Sequence, residues 1–99
     1  MKFYKNLYIG DTITNPERVK RKLKRHKKML PVYIIAYAKE NGQLEIYNSL
    51  LLKQWYYKEN PPYVIGIAGS EEEAYEIIRQ IAQEAIQTTG KPDLIAYLF

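Results

Sequence analysis

Arg18, Lys20, Arg21, Lys22, Lys24, Arg25, Lys27 and Lys28 crowd eleven consecutive positions, and Glu17 at their head is the one acid among them. A helix rises about 1.5 Å per residue, so such a segment can lay a ladder of cations along a phosphate backbone. The stretch from Glu17 to Lys28 carries eight basic residues and one acid, a local charge of +7. The seven basic and ten acidic residues elsewhere give −3, so the net +4 of the chain belongs to this segment. Arg18, Arg21, Lys22, Arg25 and Lys28 fall on the solvent side of the expected helix, as candidate contacts to nucleic acid or to an acidic protein. The plainer reading is a solvated surface, or neutralisation by Glu72, Glu73, Glu76 or Glu84. Like charges four residues apart repel by a few tenths of a kcal/mol, so some offset is expected.

Tyrosines supply the second candidate. The chain holds ten, and Tyr4, Tyr8, Tyr33 and Tyr37 take the strand parity opposite most of their aliphatic neighbours. Two-residue alternation puts those rings on one sheet face. If helices cover the aliphatic face, the tyrosine face is left to pair with a second copy of the chain, to stack bases or to hold a flat molecule. Tyrosine also has high strand propensity, so half-buried rings are ordinary. The cations lie across the expected sheet from the rings, which favours a homodimer face over an RNA platform.

The turn Gly66-Ile67-Ala68-Gly69-Ser70 delivers a strand into a helix start, where free amides can hold an anion. Gly66, Gly69 and Ser70 are the candidate anion-binding residues. The glycine spacing matches neither a dinucleotide fingerprint nor a P-loop, and three glutamates follow immediately. Helix capping explains the turn without a ligand. His26, the one histidine, sits among cations that lower its proton affinity, so it is expected to cover the sheet edge rather than act as a base. Asp11, Glu45, Glu59 and Asp93 show no metal-ligand spacing, and Ser49 and Ser70 have no histidine near them in sequence. Cysteine is absent, which excludes disulfides and thiolate chemistry. No catalytic residue, metal or cofactor is assigned.

The elements that must position these residues follow from periodicity and caps. Residues 2–9 alternate as a strand. Asn15-Pro16-Glu17 starts a basic helix over 16–28, with Asn15 as cap, Pro16 in the first turn and Val19, Leu23, His26 and Leu30 as its apolar seam. Val32–Ala38 has bulk on both faces, which predicts a central strand. Asn41-Gly42 predicts a tight turn into a returning strand over 44–47. Ser49 is expected to cap a short helix from Leu50 to about Tyr57, stopped by Pro61-Pro62. Tyr63–Ala68 is a buried strand. Ser70 and Glu73 form a capping box for a helix whose stripe runs from Ala74 to Ile86, with Gly90 as terminator. Asp93–Phe99 is expected to close the sheet as a fifth strand.

The order is β-α-β-β-(short α)-β-α-β in a single α/β domain over 1–99. The expected assembly is a five-stranded mixed sheet with the two long helices on one face, a variant of the ferredoxin-like plait, with a small three-layer arrangement as the alternative. Ile67-Ala68-Gly69-Ser70-Glu71-Glu72-Glu73-Ala74-Tyr75-Glu76-Ile77-Ile78 resembles the strand–turn–helix of small uncharacterised α/β proteins of low-GC Gram-positive bacteria, over residues 63–99 above all. The resemblance implies no activity. No run reaches the roughly 20 apolar residues of a membrane span, and Met1–Gly10 is too short and polar for a signal peptide, so the cytoplasm is expected. The functional expectation is a non-enzymatic interaction module that self-associates through its tyrosine face. The alternatives are nucleic-acid binding by the basic helix, and a small-molecule-binding domain or enzyme using the 66–70 turn.

Overall fold

A computed structural model describes residues 1–25, 31–38, 40, 42–53 and 55–99. Four strands form one mixed sheet in the order β1-β4-β2-β3: β1 Lys2–Ile9, β2 Tyr33–Ala38, β3 Gln43–Asn48 and β4 Tyr63–Ala68. β1 runs parallel to β4, and β2 runs antiparallel to both β4 and β3. The fifth strand expected at the end of the chain is absent. Leu94–Leu98 forms helix α4 instead, after α1 Pro16–Lys24, α2 Trp55–Glu59 and α3 Glu71–Thr89.

A local contest decides that correction. The Asp93 carboxylate accepts a hydrogen bond from the Ala96 amide at 3.1 Å, satisfying a free first-turn donor. Leu94, Tyr97 and Leu98 then fall at spacings of three and four, and all three pack into the core beneath α3. Alternation fitted the same residues, but only a helix places this trio on one side.

The helices also lie on opposite faces of the sheet rather than sharing one. Val19 and Leu23 of α1 pack with Phe3, Leu7, Ile9, Ile34 and Ala36. Ala74, Ile77 and Ile81 of α3 pack with Ile35, Ile65, Tyr4 and Tyr8. These are the two parities of β1 and β2, so the architecture has three layers. The ferredoxin-like expectation fails with the one-sided helices. β2 and β4 are central, and Ile34, Ile35, Val64, Ile65 and Ile67 are fully buried.

Two irregularities adjust the faces. In the β2–β4 pairing, Ile35 faces Gly66 while Ala36 faces Val64, so β4 carries an extra residue at Ile65. This bulge lets both Val64 and Ile67 point toward α1 despite their odd separation. In β1, Phe3 pairs with Val64 and Tyr8 with Gly66, and the intervening Lys5 and Asn6 are exposed.

The short connections differ from expectation in detail. Pairing of β2 with β3 ends at Ala38–Gln43, and the Gly42 amide donates to the Ala38 carbonyl at 2.9 Å. Gly42 adopts φ +63° in this reversal, the left-handed conformation expected of it; Lys39 and Asn41 lie outside the described residues. Ser49 caps no helix: its buried hydroxyl accepts from the Val32 amide at 3.0 Å, while Asn48 accepts from the Leu50 amide. A 3-10 helix, Ser49–Lys53, precedes α2. Among the described residues no helix is long and apolar enough to cross a membrane.

Candidate binding surface

Asn15 starts α1 as its residue type predicts, accepting from the Arg18 amide at 3.1 Å with Pro16 in the first turn. α1 extends to Lys24, and the Arg25 amide closes it onto the Arg21 carbonyl at 3.1 Å. The continuation to 28, with His26 and Lys28, lies outside the described residues. Leu23 turns inward and is 2% exposed, which fixes the rotation of the helix.

That rotation sorts the cations into two groups. The Lys20 and Lys24 ammonium groups lie 5.4 and 5.5 Å from the Phe3 ring centre, and Lys20 also stands 3.6 Å from Glu17. Their charge is partly met by the ring face and the carboxylate. Arg18, Arg21 and Arg25 are exposed and Lys22 is half-buried. Among the described residues no acid pairs with any of these four. Arg18, Lys22 and Arg25 stand four and then three residues apart, on one side of the helix. A groove of about 490 Å³ runs beside them, with Thr12, Thr14, Arg18 and Lys22 on its walls and Val19 and Val32 among its apolar lining.

Three of the four acids that were candidates to neutralise this helix, Glu73, Glu76 and Glu84, are engaged elsewhere, and the fourth, Glu72, makes no ion pair with α1 among the described residues. Glu76 pairs with Arg79 at 2.7 Å on α3. Glu84 accepts from the Tyr8 hydroxyl at 2.7 Å, the Tyr97 hydroxyl at 3.1 Å and Gln80 at 3.0 Å. The Tyr8 bond, followed by that of Gln80, holds the Glu84 carboxyl below its ordinary range. Burial first, and then the same bond, push the Tyr8 phenol above its own.

Glu73 occupies the turn expected to hold an anion. Its carboxylate accepts from the Gly69 amide at 2.8 Å, the Thr12 hydroxyl at 2.7 Å and the Thr12 amide at 3.2 Å. The capping box is thus half formed. Ser70 accepts from the Glu73 amide at 3.1 Å, but Glu73 turns to Gly69 and to Thr12 at the end of β1. A Cβ on Gly10 would sit 2.0 Å from this carboxylate and one on Gly69 would sit 2.1 Å from the Thr12 hydroxyl, so both glycines make room for the contact. Gly66 belongs to the β4 bulge, where a Cβ would press to 3.2 Å on Ile35 and on the Tyr8 carbonyl. Burial alone would raise the Glu73 pKa, but the Gly69 amide and the two Thr12 donors bring it below the usual value.

This junction is a topological switch point, because parallel neighbours β1 and β4 lead to helices on opposite faces. A depression of about 700 Å³ lies against it, lined by the acids Asp11, Glu72, Glu73 and Glu76 and by the cation Arg79, which is paired with Glu76. Its four carboxylates outnumber its one cation, so the wall disfavours an anion. Among the described residues no three His, Cys, Asp or Glu side chains are grouped to hold a metal ion.

The tyrosine face is roofed by α3 and α4. Tyr4 donates to the Leu98 carbonyl at 2.9 Å, Tyr8 donates to Glu84, and the Tyr37 ring lies 5.1 Å from that of Phe99. Tyr33 is half-buried against the same core. The rings share a face, as their parity predicts, but that face is not bare. Thr12, Glu73 and Glu84 were the residues hardest to foresee, since their contacts join distant segments. No spacing in the sequence signals the first two, because their turns meet only through the parallel pairing of β1 with β4.

Compared with protein-family models, curated proteins and solved structures, the chain matches none. Function is therefore argued from geometry.

Proposed function

We propose that the chain is a binding module for nucleic acid, which it engages through the outward face of α1. The supporting observation is that Arg18, Arg21, Lys22 and Arg25 carry four cations with no acidic partner among the described residues. Self-neutralisation was a plainer account of the segment, but Glu73, Glu76 and Glu84 of α3 are bonded to Thr12, Gly69, Arg79 and Tyr8, and among the described residues no acid of α3 pairs with these four cations. Repulsion between Arg18 and Lys22, and between Arg21 and Arg25, costs a few tenths of a kcal/mol each until an anion is present. The adjoining groove adds the Thr14 hydroxyl and an apolar floor, which suit a phosphate and its sugar.

Self-association through Tyr4, Tyr8, Tyr33 and Tyr37 draws no support from this geometry, because α3 and α4 already cover much of that face. An anion site at Gly66, Gly69 and Ser70 draws little, because the Gly69 amide is given to Glu73. Fluorescence anisotropy with labelled RNA and DNA tests the proposal. Binding that weakens steeply between about 50 and 200 mM salt is expected from phosphate neutralisation. Absence of binding at the lower salt, or affinity indifferent to salt, rejects it.

A further inference from the structure

The sheet has two edges, and they differ. β1 carries Lys2 and Lys5, and its pairing with β4 is interrupted between Phe3 and Tyr8. Charge and irregularity of this kind keep an edge from pairing with another chain. β3 holds no lysine, arginine or proline, and it pairs with β2 from Gln43 to Asn48 without a bulge. Its amides can be sorted by direction. The Ser49 amide donates to the Val32 carbonyl at 2.8 Å, so at this position the opposed residues face one another with their backbone bonds. Such positions alternate along an antiparallel pair. The amides of Tyr47, Glu45 and Gln43 therefore turn toward β2, and those of Asn48, Ile46 and Leu44 turn outward. Among the described residues nothing accepts from these outward amides. Beyond Ser49 the chain moves to the α1 face, where Leu52 and Tyr57 pack, while Leu94 and Leu98 of α4 pack on the other. Both faces are covered beside β3, and its border is left.

A strand added here must match the outward backbone groups and set an apolar side chain against half-buried Ile46. A second copy of β3 does both. We propose that two copies of the chain pair β3 with β3, antiparallel, about a two-fold axis at Ile46. This register sets Ile46 against Ile46 and Leu44 against Asn48, so all three outward amides of each strand find carbonyls. An axis at Glu45 or Tyr47 would engage only two of them within the strand. Opposed β-branched side chains also pack well across a strand pair. The axis stands perpendicular to the sheet, which leaves one eight-stranded sheet with both α1 helices on the same side. Each α1 packs across β1, β4 and β2, so five strand spacings, roughly 24 Å, separate the two helices. The second copy thus brings its own Arg18, Arg21, Lys22 and Arg25 to the nucleic-acid surface. That consequence rests on the reading of α1, whereas the pairing of β3 does not, and the edge is distinct from the tyrosine face.

Sedimentation equilibrium and amide exchange by NMR on the full chain test the pairing. A reversible dimer is expected at chain concentrations up to about 1 mM. In the dimer the Leu44, Ile46 and Asn48 amides should exchange about as slowly as those of Glu45 and Tyr47, and should quicken about tenfold or more on dilution to monomer. Mixed labelled and unlabelled chains should show a contact between the α-protons of Glu45 and Tyr47 across the interface, since this register sets those residues face to face. Ile46→Pro removes an amide that points away from β2, so it should keep the fold and yield a monomer. If that variant does not fold, the exchange pattern of the native chain decides. A chain still monomeric at about 1 mM leaves the edge to some other strand and overturns the proposal. A dimer in which the Leu44, Ile46 and Asn48 amides stay fast, or one without the Glu45–Tyr47 contact, overturns it equally. A β3-paired dimer that binds neither RNA nor DNA upholds the pairing and rejects the α1 reading alone.

Discussion

Glu73 gathers three donors from two segments that are 61 residues apart at Thr12, and so ties the end of β1 to the start of α3. Glu73→Gln keeps the shape but loses the charge and turns an NH2 group toward donors. It should cost about 1–3 kcal/mol in urea unfolding, the range for hydrogen bonds to a charged group. Glu73 and Glu84 both have folded-state pKa values below the ordinary carboxyl value. The unfolded chain therefore takes up protons first, and this contribution is fully present above the ordinary carboxyl range and lost as pH falls through the folded values. Urea midpoints measured from pH 6 down to pH 3 should decline in the native chain and decline less in Glu73→Gln/Glu84→Gln. At this scale the sequence disclosed local partners well: Asn15 and Ser70 are caps, and Gly90 ends α3 at φ +78°. It could not disclose that Glu73 prefers Thr12, because a side chain's choice between near and distant donors depends on how two strand ends meet.

Helix α4 shows why element type can be misjudged over six residues. Leu94 to Phe99 fits alternation as easily as helical spacing, and the carboxylate of Asp93 tips the balance by capping the Ala96 amide. Asp93→Ala should cost about 1 kcal/mol, and Leu98→Ala, at a position 7% exposed, about 2–5 kcal/mol by chemical denaturation. If Leu98 contributed no more than a surface residue, α4 would not be part of the fold. The strand parities were legible. Phe3, Leu7, Ile9, Ile34 and Ala36 do share one core, and Tyr4, Tyr8, Tyr33, Ile35 and Tyr37 share the other. The side taken by each helix was not. Bulk on both faces of β2 already required cover on both faces, a demand that two helices on one side cannot meet.

At the scale of the molecule, the sheet separates two fields. Cations face outward from α1, and acids cluster around the switch point and along α3 on the other face. Such separation orients an approaching polyanion toward α1 and away from the acidic wall. The basic segment was legible in the sequence, but that Arg18, Arg21, Lys22 and Arg25 have no acidic partner among the described residues emerged only from the fold. Neutralising α1 should leave the fold intact, since exposed substitutions away from special features change stability by about 0.5 kcal/mol or less. Arg18→Gln/Arg21→Gln/Lys22→Gln/Arg25→Gln should thus match the native urea midpoint closely.

The salt dependence of duplex binding by that variant and by the native chain is the most direct test. Four cations meeting four phosphates predict a slope of log affinity against log salt of about −3 to −4 for the native chain. The variant should bind far more weakly at low salt, with a slope near zero. Equal affinity and equal slope in the two proteins would contradict the assignment of binding to α1.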